Sequence, residues 1–131
     1  MSQANVQIVE LAYELFNRRD IAGFLDLCGA DIEWQDMGTF DTTPVVGVDA
    51  VRAYLNTVLE PWEEFRKDPE EIIDLSEDQV LGLFRATARG KGSGIEVEVR
   101  GGDLVTFKEG KVVGYAAYPR EQALEVAGVE K

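Results

Sequence analysis

Ala30-Asp31-Ile32-Glu33-Trp34-Gln35-Asp36-Met37 reads as a short strand, because apolar and polar residues alternate through it with period two. Side chains on a strand point in turn to its two faces, so Ile32, Trp34 and Asp36 share one face while Glu33 and Gln35 share the other. The alternation places a carboxylate, Asp36, on the side that buries Ile32 and Trp34. Such an acid either ends the strand by accepting bonds from loop amides near Gly38, or stands at the rim of a pocket where it can move a proton. The residues around this strand decide whether a pocket exists.

Working toward the N-terminus, Val9, Ala12, Tyr13 and Phe16 keep the three-four spacing of an amphipathic helix over residues 6–16. Asp20 is a natural N-cap for a second, shorter helix that runs through Cys28, with Gly29 closing it in a left-handed conformation. Toward the C-terminus, residues 37–46 carry Gly38, Asp41, Thr42, Thr43 and Pro44 and read as an irregular loop, a candidate lid or pocket wall. Asp49 then caps a third helix with a stripe of Val51, Tyr54, Leu55, Val58 and Leu59. Pro61 breaks it, and Trp62 and Phe65 resume its apolar face.

Beyond residue 70 the period changes to that of strands, over residues 70–75, 79–89 and 95–100, with a hairpin loop at 90–94. Gly101-Gly102 predicts a bulge or bend before Leu104-Val105-Thr106-Phe107 continues the strand. A tight turn at 108–111 leads into a last strand ending before Pro119, and residues 120–126 form a short terminal helix. The pattern is α+β: a cone-shaped, curved antiparallel sheet packed against three N-terminal helices, with a short C-terminal helix, in one domain spanning residues 1–131. A bent sheet with helices across its open side has an interior, the geometric ground for expecting a pocket.

Composition narrows the chemistry. Thirteen Lys and Arg against 25 Asp and Glu give a net charge of −12, which makes nucleic acid and anionic membrane surfaces poor partners. The single cysteine, Cys28, rules out an internal disulfide and reads as a buried core thiol. There is no histidine, so Ser-His and Cys-His nucleophile pairs are excluded. Without histidine, and with no acid cluster at ligand spacing, neither a metal nor a cofactor is expected. Met1-Ser2-Gln3-Ala4-Asn5 lacks the basic start of a signal peptide and no apolar run is long enough to span a bilayer, so the expected location is cytoplasmic.

The order of several short pieces resembles the SnoaL-like branch of the nuclear-transport-factor-2-like superfamily, which includes ketosteroid isomerases. The pieces are Phe16-Asn17-Arg18-Arg19-Asp20, the strand at 30–36, Gly47-Val48-Asp49-Ala50-Val51-Arg52, the run Val105-Thr106-Phe107-Lys108-Glu109-Gly110-Lys111-Val112-Val113, and the tail from Pro119 to Gly128. The resemblance implies a cone pocket that takes a small hydrophobic carbonyl-containing molecule, and a homodimer. It also implies two catalytic residues. Asp36 matches the aspartate that shuttles a proton in ketosteroid isomerases, and Asp103, four before Phe107, matches their second aspartate, which stays protonated and donates to a developing oxyanion. Their helix-one tyrosine falls by spacing on Ala12, and Tyr13 next to it would point about 100 degrees round the helix. The acids of limonene-epoxide hydrolases have no counterpart in the last strand, Gly114-Tyr115-Ala116-Ala117-Tyr118, and histidine-dependent dehydratase and cyclase members have none here.

Six aromatic residues, Tyr13, Trp34, Tyr54, Trp62, Phe84 and Tyr115, are candidates for the ligand-binding wall, although aromatics at such spacing also build plain core. A non-catalytic ligand-binding or dimer-forming module is the alternative to an isomerase-like enzyme. Arg85 shares parity with Leu81 and Leu83 and reads either as a pocket charge or, as favoured here, as an edge or interface charge, and Glu96, Glu98 and Arg100 as a solvated face.

Overall fold

The computed structural model describes residues 3–130. The reading of Met1 and Ser2 as a start without a leader lies outside those residues. Helix α1 (Gln3–Asn17) buries the expected stripe of Val9, Ala12, Tyr13 and Phe16. Helix α2 (Ile21–Asp26) is capped by Asp20, whose carboxylate accepts from the Gly23 amide at 2.9 Å. It ends earlier than the sequence suggests. Cys28 and Gly29 open strand β1 (Cys28–Asp36) instead of closing the helix, because Cys28 lies beside Val112 in the sheet and the Val112 amide donates to the Leu27 carbonyl at 3.0 Å.

After the loop comes the two-residue strand β2 (Val45–Val46), then α3 (Val48–Leu59). The N-cap of α3 is Gly47, at φ 97°, a left-handed conformation that favours glycine, and not Asp49 as expected. Asp49 stands in the first turn, where it pairs with Arg52 at 3.6 Å. Pro61 ends the helix outright. Trp62 and Phe65 do not resume a helical face but begin β3 (Trp62–Ser76), a 15-residue strand that hairpins into β4 (Gln79–Gly90). Strands β5 (Glu96–Lys108) and β6 (Lys111–Pro119) follow, then α4 (Arg120–Ala127).

The six strands form one curved, unclosed sheet in the order β2-β1-β6-β5-β4-β3. All neighbouring pairs are antiparallel except β1 and β6, which run parallel, since the chain crosses from β1 to the far edge before returning. One face carries the main core: Val80, Phe84 and Ala86 of β4, Val105 and Phe107 of β5 and Tyr115 of β6 pack against residues of α1, α2 and α3. On the other face α4 covers a smaller patch, in which Ala123 meets Leu81 and Leu83.

Gly101 and Gly102 produce no bulge. β4 and β5 pair in unbroken register from Gln79–Thr106 to Arg89–Glu96, and the irregularity lies elsewhere, between Thr106 and Phe107 against β6. The two glycines answer to packing instead. A Cβ on Gly101 would stand 2.6 Å from the Phe84 ring and 2.7 Å from the Tyr118 carbonyl, and one on Gly102 would collide with the Cβ of Ala123. Alternation therefore runs cleanly through them, and Asp103 shares the core face with Val105 and Phe107.

Candidate functional site

Asp103 is fully buried, and its carboxylate is the centre of a four-residue network. The Tyr13 hydroxyl donates to Oδ2 at 2.9 Å, the Tyr115 hydroxyl donates to the same oxygen at 3.1 Å, and the Lys67 ammonium lies 3.2 Å from both oxygens. Tyr13 also stands 3.2 Å from the Gly82 carbonyl. It has one proton to give, and the shorter, charge-assisted bond to Asp103 takes it. A Cβ on Gly82 would overlap this hydroxyl, which accounts for the glycine.

Lys67 is the residue that the sequence reading overlooks. It is 8% exposed, and its ammonium lies 4.4 Å from the centroid of the Phe84 ring and 5.7 to 5.8 Å from those of Phe16, Trp34 and Tyr115. A cation is costly to bury, and here the ring faces and the Asp103 carboxylate offset that cost together. Its backbone is held on both sides by Asn17 at the end of α1: the Lys67 amide donates to Asn17 Oδ1 at 2.7 Å, and Asn17 Nδ2 donates to the Lys67 carbonyl at 2.8 Å. The available signal was parity. On a strand Phe65 and Lys67 point to the same face, but the i, i+3 spacing of Trp62 and Phe65 imitates a helix and hides it.

A cavity of about 400 Å³ opens between the sheet and the helices. Phe16, Leu55, Val58, Phe65, Ala86 and Val99 give it apolar walls, and three charged residues line it: Asp36, Lys67 and Arg100. Arg100 is paired with Glu70 at 3.0 Å. Among the described residues Lys67 has its ion pair with Asp103, whose two oxygens can take two of its three N–H groups, and its ammonium also faces the Phe84 ring.

Of the aromatic residues expected on the wall, Trp34, Tyr54 and Phe84 line the cavity. Tyr13 and Tyr115 do not; they support Asp103. Trp62 does not either, but packs edge-on against Phe65, with centroids 6.2 Å apart. Trp34 stacks flat on Tyr115 at 4.4 Å, fixing one wall residue against the network.

Asp36 does both things that its position allowed. Its Oδ1 accepts from the Gly38 amide at 3.1 Å, and the residue lines the cavity. Tyr54 stands near it: burial, and then the Asp36 charge, push the Tyr54 hydroxyl above its ordinary value. Asp103 faces the core as its parity requires but is not part of the cavity wall, and both its oxygens accept bonds from its own neighbours. Both carboxylate oxygens of Asp103 are thus engaged within the network, while Lys67, bound to Asp103, is itself part of the cavity wall, together with the N–H or O–H donors Trp34, Tyr54, Arg100 and Tyr118. The helix-one tyrosine also needs correction. Ala12 and Tyr13 are both buried, because the apolar face of α1 is wide enough for adjacent residues, and Tyr13 reaches Asp103 after all.

Burial, followed by the charge of Asp103, raises the hydroxyls of Tyr13 and Tyr115 well above the ordinary tyrosine value, so both remain donors. Burial likewise pushes the Cys28 thiol up to about 11, the value of an inert core thiol. Arg85 stands on the outer face, 4.0 Å from Glu98. Among the described residues no helix is long and apolar enough to cross a membrane, and no group of three or more acids or thiols is placed to hold a metal ion.

Comparison with known structures gives the same architecture. An NTF2-like protein of unknown function from Burkholderia pseudomallei superposes with a TM-score of 0.79 at 22% identity, over 95% of this chain and 98% of that one. A Mycobacterium tuberculosis protein in complex with estradiol-17β-hemisuccinate gives 0.78 at 19% identity, over 92% and 96%. A computationally designed 17-OHP binder gives 0.74 at 20%, over 88% and 92%. Comparison with curated protein sequences finds no match. The SnoaL-like domain model matches residues 9–115, most of the chain, and on that match this protein belongs to the SnoaL-like family.

Proposed function

We propose that the cone cavity binds a small hydrophobic molecule through a carbonyl oxygen that accepts an N–H of Lys67. The observation that carries this reading is a buried ammonium at an apolar cavity wall, fixed by Asp103 and Asn17 and carrying three N–H donors for the two carboxylate oxygens it meets. A fixed cation next to a carbonyl polarises it and makes the neighbouring C–H more acidic. Asp36 is on the same cavity wall and is the candidate base for that proton, while Asp103 acts through Lys67 and not on the ligand. The chemistry is proton transfer alpha to a carbonyl, as in an isomerase, with lysine in the position of the acid. That two similar structures hold or are named for steroid-type ligands supports a ligand of this size class.

Acetylnaphthalene, an apolar fluorescent ketone with exchangeable alpha hydrogens, tests both halves. The wild-type chain should bind it, and the paired variant Lys67→Met with Asp103→Asn, which removes both charges together, should bind it at least tenfold more weakly. In deuterated water the bound ketone should exchange its methyl protons, and Asp36→Asn should abolish that exchange without changing affinity more than about twofold. Equal binding by the paired variant would remove Lys67 from the reading. Binding without exchange would leave the non-catalytic module, the second reading, which the single amide bond on Asp36 favours.

A further inference from the structure

We propose that the ligand of this cavity carries a long apolar tail, which leaves the mouth and lies along the strip that β4 and β5 present beyond it. The inference rests on the ligand-binding reading above and adds the class of ligand: an elongated amphiphile with a carbonyl head.

Register defines the strip. Lys67, Ala86 and Val99 stand side by side in one row across β3, β4 and β5, and that row lines the cavity. The next row outward, two residues along each strand, is Phe65, Ala88 and Val97, on the same face by alternation. Ile95, the residue just before β5, continues the line. From Val99 to Ile95 is four residues of extended chain, ~14 Å. The exposures along it are 59% for Val99, 43% for Val97 and 64% for Ile95. Three aliphatic side chains therefore face water on the side of the sheet that holds the cavity, while between them Glu98 pairs with Arg85, and Arg100, at the cavity's edge, pairs with Glu70. Contiguous exposed apolar surface, unlike apolar residues scattered singly, marks a binding surface, and here it adjoins the cavity.

Two observations favour a ligand tail over a second copy of the chain. Phe65 and Val99 belong both to the cavity wall and to the strip, so the two surfaces are continuous and a guest that fills one is led onto the other. Each copy also carries a net charge of −12, which opposes its approach to another copy but costs a neutral tail nothing.

Straight-chain methyl ketones from hexanone to tetradecanone, competed against acetylnaphthalene, provide the test. A methylene fully buried from water contributes about fourfold in affinity, from roughly 0.8 kcal/mol, and one resting on an open strip about half of that free energy, or about twofold. Wild-type affinity should rise by about twofold per carbon through the longer members. Ile95→Glu with Val97→Glu, two exposed positions outside the cavity wall, should leave hexanone unchanged and weaken tetradecanone tenfold or more. A wild-type plateau once the cavity is full would overturn the proposal. So would an equal loss for all lengths, or a variant whose only change is a lower mass in solution, which would make the strip a contact between copies. Failure of every ketone and of acetylnaphthalene to bind would instead remove the underlying reading, and the tail with it.

Discussion

Lys67→Met is the most informative single perturbation. It removes the ammonium 3.2 Å from Asp103 and leaves a fully buried carboxylate with two tyrosine donors and no counter-charge. Breaking a buried pair by deleting one partner costs about 3 to 5 kcal/mol, most of it the stranded charge. Side-chain exposures of 10% for Lys67 and 0% for Asp103 place this pair in that regime and not among surface pairs. Asp103→Asn alone strands the ammonium among four rings and should cost slightly less, because cation–π attraction remains. The paired variant should recover most of the loss: asparagine still accepts from Tyr115, and Tyr13 can turn to the Gly82 carbonyl. We expect the paired variant to lie within about 1 to 2 kcal/mol of wild type, a coupling of roughly 3 kcal/mol or more. Urea unfolding followed by tryptophan fluorescence reads this directly, since Trp34 is stacked on Tyr115, and the Lys67→Met midpoint should fall by about 2 M. A loss below about 1 kcal/mol, or losses that simply add in the paired variant, would refute the view of Lys67 and Asp103 as one unit.

Alkaline pH should weaken the fold through the two network tyrosines. Their folded values lie well above the unfolded value of about 10, so above that pH the unfolded chain binds fewer protons and stability falls by about 1.4 kcal/mol per pH unit for each tyrosine. Below pH ~10 their contribution is complete and flat, and Tyr115→Phe should lower the slope seen above it by about 1.4 kcal/mol per pH unit, the share of one tyrosine. Gly102→Ala drives a new Cβ into Ala123 and should cost about 1 to 3 kcal/mol by lifting α4; adding Ala123→Gly should return most of it, and thermal unfolding of the pair checks this.

The sequence by itself determined the faces. Period-two alternation put Ile32, Trp34 and Asp36 on one side of β1, and three-four spacing put Val9, Tyr13 and Phe16 on one side of α1; both assignments are local, set by where a side chain points from its own backbone. The order of elements and the family pieces carried the α+β cone as well. Where local signals compete, the tertiary structure decided. Trp62-Glu63-Glu64-Phe65 suits a helical stripe and a strand equally, and only pairing with β4 makes it strand, which in turn aims Lys67 inward. Gly101-Gly102 suggests a bulge until Phe84 and Ala123 are seen to occupy the space of its missing side chains. The site turned on the same point. Asp36 was legible because its neighbours in sequence are its neighbours on the strand. The network of Tyr13, Lys67, Asp103 and Tyr115 was not, because its closest partners are separated by 12 to 90 positions, and the free energy that makes Asp103 an anchor comes from contacts across the closed fold.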